Sequence, residues 1–315
     1  MASTTQLQEG TLARPSPQVR VGFGHRLRNW MTGMGFVAPA LALFLIIEVF
    51  AIPYNLYISA HLWDGFGEME YVGTENYTYL FEDPLFWDAL EHNGWFIGVS
   101  LAITVTLAFF LAVVLDSGIP GGGLFRIMLF LPVITPSIVV GLAWARIYSA
   151  QGGLLNRTLE LFSLDALTRN WLGDPDLALY SVLAVFVWRW LGYGVILFNA
   201  ALMDIPQDMR DAPAVDGATA WQSLRYVIIP LLRPVIVIVS IWYILLGFRV
   251  FALVYLLTDG GPFGATEVVN TYMYDQVFTF FDLGLGSTIS SLLLVALLVV
   301  AIMRNRLTAY IKRTS

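Results

Sequence analysis

The side chains that could carry chemistry in this sequence are few, and they interrupt long apolar segments. Glu48, Arg189 and Arg249 each lie inside such a segment, and Arg146 lies near the end of another. Desolvating a charge is costly, so an ionisable group in such a place either has a partner or serves a function. For Glu48, Arg189 and Arg249 two interpretations stay open: structural pairing, or a place along a polar pathway through the protein.

The sequence lacks the motifs of several enzyme classes. Its single lysine, Lys312, follows no glycine-rich loop, which excludes the phosphate-binding P-loop. His25, His61 and His92 are too far apart for a His-Glu-x-x-His zinc site. No Gly-x-Ser-x-Gly nucleophile elbow occurs, and cysteine is absent. We therefore expect no catalytic residue, no metal site and no cofactor in this chain.

The overall composition is that of a membrane protein. Of the 315 residues, 57% are hydrophobic and 13% are charged, about half the charged fraction of a soluble domain. The formal net charge of -6 argues against a nucleic-acid partner, which requires clustered lysine and arginine. The chain is therefore expected to be integral to a membrane.

Six apolar segments are long enough to cross a bilayer, whose hydrocarbon core of ~30 Å requires ~20 helical residues. None of them alternates as a barrel strand does, and several contain proline, which predicts kinked or broken helices. We predict an all-α membrane protein with six transmembrane helices. The predicted spans are 35–58, 95–115, 124–148, 177–203, 228–257 and 283–303.

Basic residues orient the predicted bundle. One set of connecting segments holds twelve arginine or lysine residues, whereas the opposite loops hold only Arg157 and Arg169. Because the basic side of a membrane protein is cytoplasmic, we expect both termini in the cytoplasm. The predicted organisation is an N-terminal tail over 1–32, a membrane domain over 33–303 and a C-terminal tail over 304–315.

A polar stretch over 204–228 separates the fourth and fifth predicted spans. Asp208 and Asp211 are expected in the first turn of a short helix, where negative charge is favourable. Asp216-Gly217 predicts a turn, and a second helix is expected from near Thr219. The stretch is thus expected to form a helical hairpin on the cytoplasmic face.

One side of this hairpin carries small apolar residues. Ala212 and Val215 are three residues apart, and Ala218 follows the turn. This face could fit a shallow cleft on another protein. Alternatively, the hairpin could simply connect two spans while lying on the lipid headgroups.

The hairpin resembles the Glu-Ala-Ala loop of permeases of ATP-binding-cassette (ABC) transporters. In that pattern Asp-Gly-Ala follows three residues later, and a hydrophobic helix then closes on Leu-Pro and a further proline. Asp211 stands for the glutamate and Pro213 for the second alanine, which could displace the first helical turn. The positions that correspond to the pattern are Asp211, Ala212, Asp216, Gly217, Ala218, Ile229, Pro230 and Pro234.

In that family the loop docks into a groove on an ATP-binding subunit. The resemblance therefore implies that ATP and magnesium bind to the partner ATPase and not to this chain. The residues implied in coupling are Asp211, Ala212, Ala214, Val215, Asp216, Gly217, Ala218 and Leu224.

Four further stretches, 72–90, 130–144, 257–268 and 281–290, are similar to sugar-type permeases of bacterial importers, the maltose and glycerol-3-phosphate group. LTDGGP after the fifth span is typical of the maltose F-type or glycerol-phosphate A-type subunit. This resemblance implies a type I ABC importer permease fold in the inner membrane of a prokaryote. It implies three kinds of partner: a homologous second permease, two copies of an ATPase, and an extracytoplasmic solute-binding protein.

A solute site is expected at mid-membrane on the fourth and fifth spans. The segment 187–194, VWRWLGYG, offers aromatic faces for sugar rings, and we expect Gly192 and Gly194 to open the helix surface. The resemblance places sugar contacts on Leu-Gly-Tyr here and on the helix before the Gly-Gly-Pro loop. The candidate contacts are Trp188, Arg189, Leu191, Gly192, Tyr193, Tyr243, Leu246, Gly247, Val250 and Ala252.

The identity of the solute stays open. Most of the second set lacks the amide side chains of the maltose subunit, so the solute is expected to differ. Arg189 and Arg249 suit an anionic solute such as a glycerol phosphate, or they satisfy backbone carbonyls at broken helices. The alternative function is a stand-alone channel or an ion-coupled secondary transporter.

Overall fold

The computed structural model describes residues 23–314, except for the side chains of residues 23–29, 214 and 307–314. It contains two compact units that divide at Tyr54 and Asn55. The described part of the first unit consists of helix α1 (Phe23–Phe44), a π-helical turn (Leu45–Val49) and the beginning of α2 (Ala51–Ile58). The helix thus begins inside the predicted N-terminal tail, most of which lies outside the described residues.

The second unit is helical apart from one small hairpin, β1 (His61–Leu62) paired antiparallel with β2 (Glu70–Tyr71). Its helices are α3 (Glu75–Glu82), α4 (Pro84–Asp116), α5 (Gly122–Ile134), α6 (Ser137–Ile147), α7 (Leu154–Leu161), α8 (Pro175–Met203), α9 (Gln207–Val215), α10 (Ala220–Ser223), α11 (Ile229–Phe248), α12 (Ala252–Leu257), α13 (Val269–Tyr274) and α14 (Leu283–Thr314). A 3-10 turn follows α7 at Asp165–Leu167, and π-helical turns follow α10 at Leu224–Ile228 and α13 at Asp275–Thr279.

Five helical stretches of the described part are long and apolar enough to cross a membrane: Trp30–Ile58, Pro84–Asp116, Pro175–Met203, Ala220–Phe248 and Leu283–Arg306. A sixth crossing exists if α5 and α6 count as one, although they meet at a bend of 102°. The prediction of an all-α protein is confirmed. The predicted third span, 124–148, is broken within its length, as its prolines predict, because Pro136 ends α5 with an extended residue, Thr135.

The two longest helices of the middle of the chain begin with the same local device. Asp83 and Asp174 are the N-caps of α4 and α8, and their carboxylates accept hydrogen bonds from the backbone N–H of Leu85 and Asp176. Proline follows each aspartate at the first helical position, where its fixed φ suits the helix and its missing N–H is not needed. The pair Asp-Pro therefore fixes where each helix starts.

Helix α8 lies at the centre of the second unit, packed along α4 and α5. Small residues allow this close approach: a Cβ added to Gly192 would lie 1.9 Å from the carbonyl oxygen of Leu129 on α5. A Cβ on Gly194 would lie 2.8 Å from the Cβ of Ala108 on α4. The prediction that these glycines open the helix surface is wrong. They bring neighbouring helices into contact, as small residues do in membrane bundles.

The bend between α5 and α6 is held from α8. Arg189 donates one guanidinium hydrogen bond to the carbonyl oxygen of Thr135 at 3.0 Å and another to the hydroxyl of Ser137 at 2.8 Å. The Arg189 side chain is buried and also lies 5.2 Å from the ring of Trp190. Non-helical backbone at membrane depth is tolerated where the protein supplies such partners.

A second break ends α11 at Phe248, where the predicted fifth span continued to 257. Asn270 donates to the freed carbonyl oxygens of Phe248 at 2.7 Å and Val250 at 3.2 Å. Asn93 on α4 donates to the carbonyl oxygen of Gly247 at 3.3 Å. Two asparagines from other elements therefore stabilise this break.

Tyr243 inserts into the hydrogen-bond ladder of α8. Its hydroxyl donates to the carbonyl oxygen of Trp190 at 2.9 Å and accepts from the N–H of Gly194 at 3.0 Å. These are two groups that an uninterrupted α-helix would pair with each other, since they are four residues apart. An insertion of this kind loosens a helix locally and here joins α11 to α8.

We predict that Tyr243→Phe lowers the free energy of unfolding by ~1–2 kcal/mol, because the hydroxyl bridge is lost within a buried site. Unfolding of the purified protein in detergent, followed by tryptophan fluorescence, measures the change. Tyr180→Phe is the matched control, since Tyr180 is an exposed tyrosine on α8. Equal stability of the Tyr243→Phe and Tyr180→Phe proteins would contradict the structural role.

Candidate coupling surface and solute path

The polar stretch between α8 and α11 forms the predicted helical hairpin. Helix α9 ends at a turn in which Gly217 has a φ of +76°, a conformation that favours glycine. Thr219 then caps α10: its hydroxyl accepts from the N–H of Gln222, and the Gln222 side chain accepts from the N–H of Thr219. This capping box starts the second helix where the sequence predicts it.

The two departures from the family pattern lie inside α9 and do not break it. Asp211 is in the second turn rather than the first, because the helix begins at Gln207, whose side-chain amide donates to both carboxylate oxygens of Asp211. Pro213 lies within the helix and is buried. The predicted placement of Asp211 in the first turn is therefore wrong, whereas that of Asp208 is correct.

One face of the hairpin, the coupling face, is exposed and partly apolar. Val215 is 87% exposed, and Asp211, Ala212, Asp216 and Gly217 are also exposed. Ala218 and Leu224 are half-buried, and the side chain of Ala214 lies outside the described residues. A groove of about 490 Å³ runs between α9 and the start of α11, with Met209, Ala212, Pro213, Tyr226 and Val227 among its lining residues.

Half of the predicted solute contacts are buried against other helices. Arg189 is directed at the bend between α5 and α6, and Gly192 lies against the backbone of α5. A Cβ on Gly247 would lie 2.6 Å from the Ile97 side chain of α4. Tyr243 and Val250 are also buried. In this arrangement these residues hold the bundle together, and their contact with solute stays a prediction.

The other predicted contacts are more accessible but do not form one cluster. Trp188 is 43% exposed and packs edge-on against Trp144 of α6, with ring centroids 5.3 Å apart. Tyr193 stacks on Trp242 of α11 at 5.2 Å. Leu191, Leu246 and Ala252 are half-buried. The two aromatic pairs are thus the accessible part of the predicted set.

The remaining intramembrane charges have different settings. Arg249 is exposed at the break that ends α11. Glu48 lies in the π-helical turn of the first unit. The sequence left open whether Arg189 and Arg249 bind an anionic solute or satisfy backbone carbonyls. Arg189 does the latter, since it donates to the carbonyl oxygen of Thr135.

Comparison with known proteins decides the family. Residues 104–313 match the family described as binding-protein-dependent transport system inner membrane component. The chain belongs to this family. It is a multi-pass membrane permease subunit of a binding-protein-dependent ABC importer.

Two relatives illustrate the similarity of the permease to named proteins. It is 34% identical over 276 residues to the probable ABC transporter permease protein YurN of Bacillus subtilis, covering 86% of this chain and 94% of YurN. It is 33% identical over 254 residues to the lactose transport system permease protein LacF of Rhizobium radiobacter, covering 79% and 84%.

A solved structure shows the same fold. The permease aligns with a chain of a bacterial alginate ABC transporter, solved in complex with an alginate pentasaccharide-bound periplasmic protein, with a TM-score of 0.80. Sequence identity is 20%, and the match covers 90% of this chain and 96% of the other. The type I importer fold predicted from the sequence is confirmed.

A row of four aromatic rings on the permease was not predicted. Phe251, which precedes α12, stacks on Tyr255 of α12 at 5.3 Å, Tyr255 lies 5.1 Å from Tyr274 of α13, and Tyr274 lies 4.7 Å from Phe278. Tyr255 and Phe278 are exposed. The signal in the sequence is the spacing of four residues between Phe251 and Tyr255 and between Tyr274 and Phe278, which favours contact between the two rings of each of these pairs.

The Gly-Gly-Pro loop of the permease contains a half-buried carboxylate, Glu267. One of its oxygens is buried without a hydrogen-bond partner among the described residues, and the other lies where a Cβ on Gly260 would be. Burial raises the pKa of Glu267, as do the charges of Asp275 and Asp259, while a hydrogen bond from Thr271 lowers it. Folding therefore shifts Glu267 toward its neutral form relative to the unfolded chain.

We predict that Glu267→Gln stabilises the permease at pH 8 and changes its stability little at pH 5. Because the pKa is raised in the folded state, the stability from protonated Glu267 is present at low pH and is lost as pH rises through the raised pKa. Unfolding midpoints at both pH values measure this, with Glu68→Gln, at an exposed position between β1 and β2, as the control for charge removal. An equal effect of Glu267→Gln at pH 5 and pH 8 would argue against a buried carboxyl.

Proposed function

We propose that this permease forms half of the translocation path for a sugar or sugar-like solute and that ATP hydrolysis on a separate subunit drives transport. The observation that carries the proposal is the coupling face: a hairpin with exposed apolar side chains in a polar segment between two apolar helices, in a chain that has no P-loop. An exposed apolar patch rimmed by polar residues marks a protein interaction site.

The coupling face supports docking to an ATPase in its shape and residue types. Val215 projects into solvent at the end of α9, and Ala212 and Ala218 keep the surface around it shallow. Small apolar residues of this kind fit a groove on a partner without leaving buried polar groups unpaired. Asp211, Ala214, Asp216, Gly217 and Leu224 complete the proposed contact.

The proposed assembly has one homologous second permease, two copies of the ATPase with bound ATP and magnesium, and an extracytoplasmic solute-binding protein. The excess of basic residues on the side of the coupling face supports a cytoplasmic location for this face and for both termini. The location that follows is the inner membrane of a prokaryote. Closure of the ATPases would then move the spanning helices through α9 and α10.

A neutral sugar is the solute that the site supports best. LacF, which is 33% identical to this chain, is named for lactose, a neutral carbohydrate. The alginate transporter imports an acidic polysaccharide and, at 20% identity, supports only the fold. The accessible aromatic rings, Tyr193 with Trp242 and the row ending at Phe278, suit the C–H faces of sugar rings. Asp259 follows α12 and Asp275 follows α13, the two helices that carry this row, and both carboxylates would repel an anion. We therefore favour a neutral sugar over a glycerol phosphate.

We predict that Val215→Glu reduces binding-protein-stimulated ATP hydrolysis of the reconstituted complex at least ten-fold, because it places an unpaired carboxylate in the docked interface, at a cost of about 2–5 kcal/mol. The measurement is ATPase activity with and without binding protein. Gln151→Glu, in an exposed outer loop, adds the same charge and is the matched control.

Stimulation of Val215→Glu equal to that of Gln151→Glu would argue against docking at this face. If the tagged permease never copurifies with an ATPase and transports in liposomes without ATP, it is instead a stand-alone channel or carrier.

We predict that Tyr255→Ala lowers the binding of a neutral sugar and that Tyr255→Phe does not, because stacking requires the ring and not the hydroxyl. The probe is lactose, observed by saturation-transfer difference NMR on the complex in nanodiscs, with glucuronate as the anionic comparison. We expect C–H signals from lactose that fall at least two-fold in Tyr255→Ala. Equal lactose signals in the two variants would remove the aromatic row from the proposed path.

A further inference from the structure

One ion pair joins the coupling hairpin to a membrane-spanning helix. The guanidinium of Arg210 on α9 lies 2.6 Å from the carboxylate of Asp116, the last residue of α4. Both side chains are mostly buried, with 22% of Arg210 and 19% of Asp116 exposed. Within the described part of the chain, no other ion pair occurs.

Each charge of this pair is at the unfavourable end of its own helix. Asp116 ends a helix of 33 residues, where the partial charge of the backbone is negative. Arg210 is the fourth residue of α9, near its positive N-terminus. The helix dipoles therefore disfavour each charge on its own helix. The opposite charge of the partner side chain compensates for this in both cases. This pattern points to a specific contact and not to two independently placed surface charges.

The Arg210–Asp116 pair connects α9 to α4, two helices that are not neighbours along the chain. Helix α9 follows α8 and precedes α10 and α11, so it can act on α8 and α11 through the backbone. Asp116 is 94 residues away in sequence, at the inner end of α4. Among the described residues, α9 makes no other hydrogen bond or ion pair to a spanning helix. Helix α4 in turn packs along α8 and α11.

We propose that the Arg210–Asp116 pair is the strut through which movement of the coupling hairpin reaches α4. The proposal rests on the proposed function, in which ATPase closure moves α9. With the strut, α4 moves together with α9. Without it, α4 receives the motion only through side-chain packing in the bundle. Arg210 and Asp116 are positioning residues, since they contact neither solute nor ATP.

A purely stabilising surface pair is the alternative, and it gives different results. If the pair only stabilises the fold, removing one partner leaves a mostly buried charge unpaired and lowers the unfolding midpoint, while transport per ATP stays unchanged in the complexes that assemble. Loss of a strut instead changes the number of solute molecules moved per ATP hydrolysed.

The test uses the complete complex in proteoliposomes, with Asp116→Ala, Arg210→Ala and the double exchange Asp116→Arg/Arg210→Asp. In each single variant we expect the complex to assemble and basal ATP hydrolysis to continue, while transport per ATP falls about five-fold, the factor that corresponds to ~1 kcal/mol. In the double exchange we expect recovery to within two-fold of the wild type. The exchanged charges also lie at the ends their helix dipoles favour, so the protein should remain folded.

A distance measurement separates the strut from a general loss of stability. The chain has no cysteine, so spin labels at Ser117→Cys and Gln207→Cys report the distance between the end of α4 and α9. We expect one narrow distance distribution with and without ATP in the wild type and the double exchange, and a broad one in the single variants.

Three results would overturn the strut: normal transport per ATP in both single variants, no recovery in a double exchange that folds and assembles, or unchanged label distances in the single variants. If no ATPase binds the wild-type chain, the proposed function is contradicted, and the strut proposal that rests on it is contradicted as well. If ATPase binds and is stimulated while the single variants couple normally, only the strut fails.

Discussion

Hydrogen bonding to backbone groups freed inside a membrane is the constraint on which this structure depends. Two breaks interrupt the apolar helices, one at Thr135 and Pro136 and one after Phe248, and backbone groups freed within a bilayer core need partners from the protein or from a water-filled cavity. The protein supplies the donors itself. The Arg189 guanidinium serves the first break, and the amides of Asn270 and Asn93 serve the second. These few polar side chains explain how so apolar a chain can contain bent and broken segments.

The same polar side chains also join elements that are distant in sequence. Arg189 links α8 to the bend between α5 and α6, Asn93 links α4 to the end of α11, and Tyr243 links α11 to the middle of α8. Apolar packing alone drives helix association weakly in lipid, because lipid tails are as apolar as the side chains. Directional hydrogen bonds therefore define the arrangement of the central helices, and residues first considered as solute contacts are part of that framework.

Hydropathy and local signals were sufficient to predict the helical class, most of the spans and the hairpin that carries the coupling face. Thr219 with Gln222 and the turn at Gly217 are local features, and local features can be read from neighbouring residues. The prolines predicted that some spans would be kinked or broken. The angle of 102° and the early end of α11 could not be predicted in this way, because the side chains that hold these breaks are 54 and 22 residues away in sequence. The segment 187–194 was predicted to line the solute path, but several of its residues pack against neighbouring helices instead. Residue type alone does not show which side chains of such a segment are exposed and which contact another helix.

Gly192 has a consequence for how such a chain can diverge. The obstacle to a side chain at this position is the backbone of α5, which cannot change rotamer, so even one methyl group would separate two central helices. The neighbouring Trp188 and Tyr193 have no such obstacle and project from the same helix. Within about one turn, α8 thus contains Gly192, which tolerates no larger side chain, and Trp188 and Tyr193, whose side chains can be replaced. Substitution at Trp188 or Tyr193 is therefore compatible with the contact between α5 and α8, whereas substitution at Gly192 is not.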